Sequence, residues 1–159
     1  MPMRLTTEVS GKTLRIKLKD GTYKGLVLKV TVYSPVLDGI RISGSGNFIE
    51  HGPHHSTGNI DFSLSGSGGF KAESIDCKSF SAKISGSGSI NVPSVKGTDL
   101  NFHISGSGSV NVGSARAGGN MSMSFSGSGS GKVDKADVTG TLDLSISGSG
   151  NIDVNGRVG

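Results

Sequence analysis

The sequence predicts an all-β fold, a parallel β-solenoid that is β-helix-like and right-handed, with coils of about 21 residues turning at Ser-Gly-Ser-Gly corners. Three observations predict it. First, an apolar residue followed by Ser-Gly-Ser-Gly occurs six times, at 42–46, 64–68, 84–88, 104–108, 125–129 and 146–150, in steps of 22, 20, 20, 21 and 21 residues. Second, alternating apolar triplets precede the words: Ile60, Phe62, Leu64; Phe80, Ala82, Ile84; Leu100, Phe102, Ile104; Met121, Met123, Phe125; and Leu142, Leu144, Ile146. Alternation with period two is the mark of a strand with one buried face. Third, glycine recurs at the same two slots of every word, at Gly44, Gly46, Gly66, Gly68, Gly86, Gly88, Gly106, Gly108, Gly127, Gly129, Gly148 and Gly150. One bend is therefore stacked in every coil, where positive φ or close backbone approach excludes a side chain.

The chain reads as one domain, 1–159, in three parts: leading strands over 1–34, the repeat array over 35–154 and a tail over 155–159. In the leading part, Leu14-Ile16-Leu18 and Leu26-Leu28-Val30-Val32 read as strands joined by an Asp20-Gly21 turn. Tyr33-Ser34-Pro35 opens the array. After each word a second apolar pattern follows: Phe48, Phe70, Ile90 with Val92, Val110 with Val112, and Ile152 with Val154. The fifth repeat reads as a slip, with Gly131 and Lys132 where an apolar residue is expected and Val133 beyond. A third inward position is small or branched, at Ile75, Val95, Ala115 and Ala136. Turn residues fill the last gap, as in Lys96-Gly97-Thr98-Asp99, Gly118-Gly119-Asn120 and Val138-Thr139-Gly140. Six coils about 4.8 Å apart span about 29 Å, with the motif serines in ladders whose hydroxyls are expected to satisfy backbone groups in the bend.

The 27 glycines and 27 serines would suit a flexible linker, but linkers do not place apolar residues at every second position. The net charge of +4 is uneven: residues 1–30 hold seven basic side chains against Glu8 and Asp20, and the remainder holds nine against ten acids. The basic residues alternate with Leu14, Ile16 and Leu18, so they read as the wet face of an edge strand rather than a nucleic-acid patch. Cys77, the single cysteine, lies in phase with Ile75 and reads as a buried apolar side chain; there is no disulfide framework. No apolar run approaches the roughly 20 residues of a membrane helix, and no signal peptide opens the chain.

The stretch Thr7-Glu8-Val9-Ser10-Gly11-Lys12-Thr13-Leu14-Arg15-Ile16, the stretch Val36-Leu37-Asp38-Gly39-Ile40-Arg41-Ile42-Ser43-Gly44-Ser45-Gly46 and the ordered words after it resemble the bacterial head GIN domain family of auto-transporter adhesins. The resemblance runs from about Thr6 to Val154. It implies a β-superhelix with Gly-Ser-Gly words at tight turns, an exported, periplasmic or cell-surface location in a Gram-negative bacterium, and a part in adhesion. Family members carry β-structure upstream of the part matching Thr6, so the resemblance implies an N-terminally truncated domain. The segment Glu50-His51-Gly52-Pro53-His54-His55 departs from the family pattern.

Candidate chemistry is thin. Glu50, His51, His54 and His55 are competent ligands for a divalent transition metal, against a plain reading as a polar loop around Pro53. His103 lies between Phe102 and Ile104 and is expected to point outward. Calcium β-rolls need Gly-Gly-x-Gly-x-Asp, and in Gly150-Asn151-Ile152-Asp153 the acid comes one residue late. The run Gly127 to Lys132 lacks the first glycine and the final hydroxyl of a phosphate loop, with Ser126 and Val133 in their places. A polysaccharide-active enzyme needs convergent acids, whereas Asp61, Asp76, Asp99, Asp143 and Asp153 are scattered, Asp143 on the solvent phase. No tryptophan is present, and Tyr23 and Tyr33 are the candidate exposed rings, so neither a sugar platform nor a single-strand reader is built in. The reading is a non-enzyme without cofactor: an adhesin-type module for a surface glycan or protein, or alternatively a structural or regulatory envelope module acting through protein contacts. Solenoid ends expose strand edges, so a cap from the basic N-terminal strands, or a homo-oligomer through the ends, is expected.

Overall fold

The computed structural model describes residues 5–22, 24 and 29–159, which fall into two units, Met1–Tyr33 and Ser34–Gly159. Among the described residues every regular element is a β-strand.

In the first unit, β1 (Leu5–Ser10) pairs antiparallel with β2 (Thr13–Leu18), from Leu5↔Leu18 to Ser10↔Thr13. The hairpin closes through Gly11 and Lys12, and Gly11 takes φ +59°, the left-handed conformation a two-residue turn demands. β2 thus has a partner the sequence did not announce, β1, while Asp20 and Gly21 form a bend after it. Val30 and Val32 lie outside any strand, while Leu26 and Leu28 lie outside the described residues, as do Arg4 and Tyr23.

The second unit is a solenoid of six coils. The first holds β3 (Gly39–Gly44), β4 (Asn47–Ile49) and β5 (Pro53–His55); the second holds β6 (Asn59–Gly66), β7 (Gly69–Lys71) and β8 (Ser74–Asp76). In the next four the second and third short strands merge: β9 (Ser79–Gly86) with β10 (Ser89–Gly97), β11 (Asp99–Gly106) with β12 (Ser109–Ala117), β13 (Met121–Gly127) with β14 (Ser130–Val138), and β15 (Leu142–Ser147) with β16 (Asn151–Val158). The residues read as a tail therefore extend the last strand, with Gly156, Arg157 and Val158 paired to Ala136, Asp137 and Val138. One parallel sheet runs β15-β13-β11-β9-β6-β3, and the other carries β16-β14-β12-β10 onto β7-β4 and β8-β5.

Parallel register puts like on like. Ile42, Leu64, Ile84, Ile104, Phe125 and Ile146 form one column, and Ile75, Val95, Ala115 and Ala136 another. The triplets of β6, β9, β11 and β13 are buried, and Phe62 meets Phe70 with ring centroids 4.3 Å apart. Each such side chain removed from water contributes about 1.5–3 kcal/mol. The end coils bury less: Leu144, Ile146 and Val158 are 44%, 45% and 51% exposed.

The fifth repeat does not slip. Gly131 stands in register between Val110 and Ile152, and Val133 between Val112 and Val154. Glycine occupies this inward slot because its neighbours already fill the space: a Cβ there would lie 2.4 Å from Phe125 Cζ and 2.8 Å from Met123 Cε. Lys132 alternates outward, opposite Asn111.

Candidate binding surface

The corners are held by backbone, and the two glycines of a word serve different ends. In the fourth coil Gly106 takes φ +121°, and a Cβ on it would lie 2.5 Å from Gly86 O. Gly108 has no such φ; a Cβ there would lie 2.8 Å from both Gly88 O and Ile84 Cγ2. The first slot therefore needs conformational freedom and the second needs room. Ser107 N–H donates to Gly86 O at 2.9 Å and Ser109 N–H to Gly88 O at 2.9 Å, with equivalent bonds in the neighbouring coils.

The serine hydroxyls take no part in this ladder. Among the described residues the hydroxyls of the words bond no protein group, contrary to the expectation that they satisfy the bend. The column Ser43, Ser65, Ser85, Ser105, Ser126, Ser147 is in strict register and exposed. Beside it run Arg41, Ser63, Lys83, His103, Ser124 and Ser145, with His103 outward as expected. The outer face of this sheet is polar and presents no Phe, Tyr or Trp side chain.

The third side of the coil carries a charged column: His55, Asp76, Lys96, Arg116, Asp137, Arg157. Arg157 grips Asp137 through two bonds, Nε to Oδ1 at 2.9 Å and an Nη to Oδ2 at 3.0 Å. That hydrogen bond holds the Asp137 carboxyl below its ordinary range. Asp76 is shared by Lys96 Nζ at 3.5 Å and His55 Nδ1 at 3.8 Å. A groove of about 410 Å³ follows the column, lined also by Thr98 and Thr139. Thr98, Thr139, Lys96 and Arg116 were not singled out as a site from the sequence. The available signal was the spacing of 20 residues between Lys96 and Arg116, each just after an inward residue.

The four candidate metal ligands are split by strand alternation. On β5, His54 faces inward and is buried, in register with Ile75, while His55 faces outward. His54 Nδ1–H donates to Glu50 Oε1, and its buried Nε2 has no partner. His51 is exposed. Among the described residues no group of three or more His, Cys, Asp or Glu side chains is placed to hold a metal.

The acids are likewise apart. Asp61 and Asp143 stand on β6 and β15, with three strands between them in the sheet. Asp99 Oδ1 accepts the Asn120 amide at 3.1 Å and Asn120 Oδ1 the Thr141 amide at 3.0 Å, a side-chain ladder that ties successive turns. Cys77 is buried, and burial, with Asp76 adding to it, pushes its thiol up to about 11, so it is not a nucleophile at neutral pH. Tyr33 is 93% exposed. No helix among the described residues is long and apolar enough to cross a membrane.

Comparison with known proteins agrees with this architecture. No curated protein matches the chain. The crystal structure of a putative adhesin from Bacteroides fragilis NCTC 9343 superposes with a TM-score of 0.68 at 20% identity, covering 95% of this chain and 76% of that one. At that identity the likeness speaks for the fold alone. The family model described as "Putative auto-transporter adhesin, head GIN domain" matches residues 3–157, and the chain therefore belongs to the head GIN domain family.

Proposed function

We propose that this chain is a non-enzymatic binding module displayed on the envelope or surface of a Gram-negative bacterium, an adhesin-type solenoid that engages a glycan or a protein. The observation that carries this reading is the outer surface. Exposed polar side chains stand in register on a scaffold of stacked backbone ladders, and the corner hydroxyls are left free. A rigid scaffold spends little entropy on binding, so contacts that are individually weak add up along the repeat. The scattered carboxylates and the protonated Cys77 favour binding over catalysis. The family description and the name of the Bacteroides protein point the same way.

The test is binding of the folded chain to mucins, matrix proteins and bacterial glycans, beside the charge-bearing variant Ser85→Glu/Ser105→Glu. Saturable binding to any of them supports the module, and loss in the variant locates it on the serine column. Absence of binding across the panel overturns the adhesin reading.

The exposed Leu144, Ile146 and Val158 favour a second reading, a structural or regulatory envelope module that pairs through the solenoid end. Light scattering decides whether copies associate. Leu144→Lys/Ile146→Lys is expected to dissociate such an assembly.

A further inference from the structure

We propose that the groove beside Lys96 and Arg116 binds an isolated carboxylate of an acidic glycan, a uronic or sialic acid residue flanked by neutral hydroxyls. This rests on the reading of the protein as a binding module and names the ligand class of one surface.

The argument starts from the order of charge along the column. Asp76, Lys96, Arg116, Asp137 and Arg157 follow one another in adjacent coils. Asp137 is occupied on both oxygens by Arg157. Lys96 leans on Asp76 at 3.5 Å. Arg116 is exposed, and among the described residues its guanidinium makes no hydrogen bond or ion pair within contact distance. Its planar fork of donors is thus available to a carboxylate, which it matches in a bidentate geometry.

Beside Arg116 the groove is lined by the small residues Gly97, Ala117 and Gly118. Thr98 and Thr139 also line it, and hydroxyls of this type pair with the ring hydroxyls of a saccharide.

The flanking acids select among anions. Coils are about 4.8 Å apart, so the cationic window of Lys96 and Arg116 is about 10 Å wide. Asp76 closes one side and Asp137 the other. A ligand with one carboxylate per few ångströms of neutral hydroxyls fits between them. A densely charged polyanion such as nucleic acid or heparin must set its next charges against those carboxylates, which is repulsive. The groove also offers no aromatic ring for base stacking.

The experiment is calorimetric titration of the full chain with an aldotriuronic acid, which carries one uronate on two neutral sugars, and with sialyllactose, beside neutral cello-oligosaccharides and heparin. Arg116→Gln is expected to weaken binding of the carboxylated sugars at least tenfold, and Lys96→Gln severalfold. Lys71→Gln/Lys132→Gln removes two charges outside the groove and the serine face and is expected to change nothing. An unchanged melting temperature in Arg116→Gln, an exposed position, shows that the fold is intact. Equal weakening in the Lys71/Lys132 control, an unaffected Arg116→Gln, or heparin binding more tightly than the uronate overturns the proposal. So does binding of a matrix protein or neutral glycan without binding of carboxylated sugar, an outcome that leaves the binding-module reading standing. Silence toward every surface and glycan overturns both.

Discussion

Replacing Gly106 by alanine tests the stacked corner directly. The residue takes φ +121°, and holding a non-glycine residue in that region costs about 1–3 kcal/mol. The added Cβ would also lie 2.5 Å from Gly86 O, where real Cβ contacts are not found below 3.0 Å. That carbonyl must give by about half an ångström, yet it is fixed by the Ser107 amide at 2.9 Å. Weakening that bond costs about 0.5–1.5 kcal/mol more. The sum is about 2–4 kcal/mol, which for a domain of this size lowers Tm by about 5–15 °C. The control is Gly118→Ala, where the nearest atom to a new Cβ is Gly97 O at 3.9 Å, and it is expected to shift Tm by less than about 2 °C. Differential scanning calorimetry of the two variants beside the parent checks this. A Gly106→Ala protein melting with the parent, or a Gly118→Ala protein falling as far, would refute the claim that the corners are limited by φ and by the coil beneath.

Three further outcomes are expected. Gly131→Val is destabilising by about 2–4 kcal/mol because its side chain meets the Phe125 ring, and Phe125→Leu in the same chain recovers more than half of the loss; denaturant melts of the single and double variants measure the coupling. Glu50→Ala leaves buried His54 without its partner and costs about 1–3 kcal/mol, whereas Glu50→Gln/His54→Ile, which restores the apolar column and removes the orphaned Nε2, is expected to melt no lower than the parent. Cys77 has a folded pKa of about 11 against an ordinary 9.0, so its contribution to stability is complete below pH 9 and is lost as pH rises through 9 towards 11. Its thiol is expected to resist alkylation at pH 8 until the chain is unfolded, and rapid labelling of the native protein would contradict its burial.

Much of the solenoid was legible because each coil repeats the same local instruction. Alternation along 80–84, 100–104 and 121–125 states which side chains face inward, and the Ser-Gly-Ser-Gly word states where the chain bends. Gly131 was misread because a glycine in an apolar column looks like a slip until Phe125 is seen to fill its volume. The pairing of β1 with β2 was missed because Gly11-Lys12 is a weak turn signal and β1 carries little apolar alternation to announce it. The His54 and His55 pair was legible as a cluster but not as a division, since one faces the core and the other solvent.

By itself the sequence determined the period, the inward phase and the corners, because these depend on residues a few positions apart. Only the tertiary structure decided what lies beside what across coils. Residues some 20 apart, such as Lys96 and Arg116, become neighbours through parallel register. The charge order from Asp76 to Arg157 and the small residues lining the groove beside Arg116 come together only once the coils are stacked, because electrostatic pairing and volume filling are properties of neighbours in space.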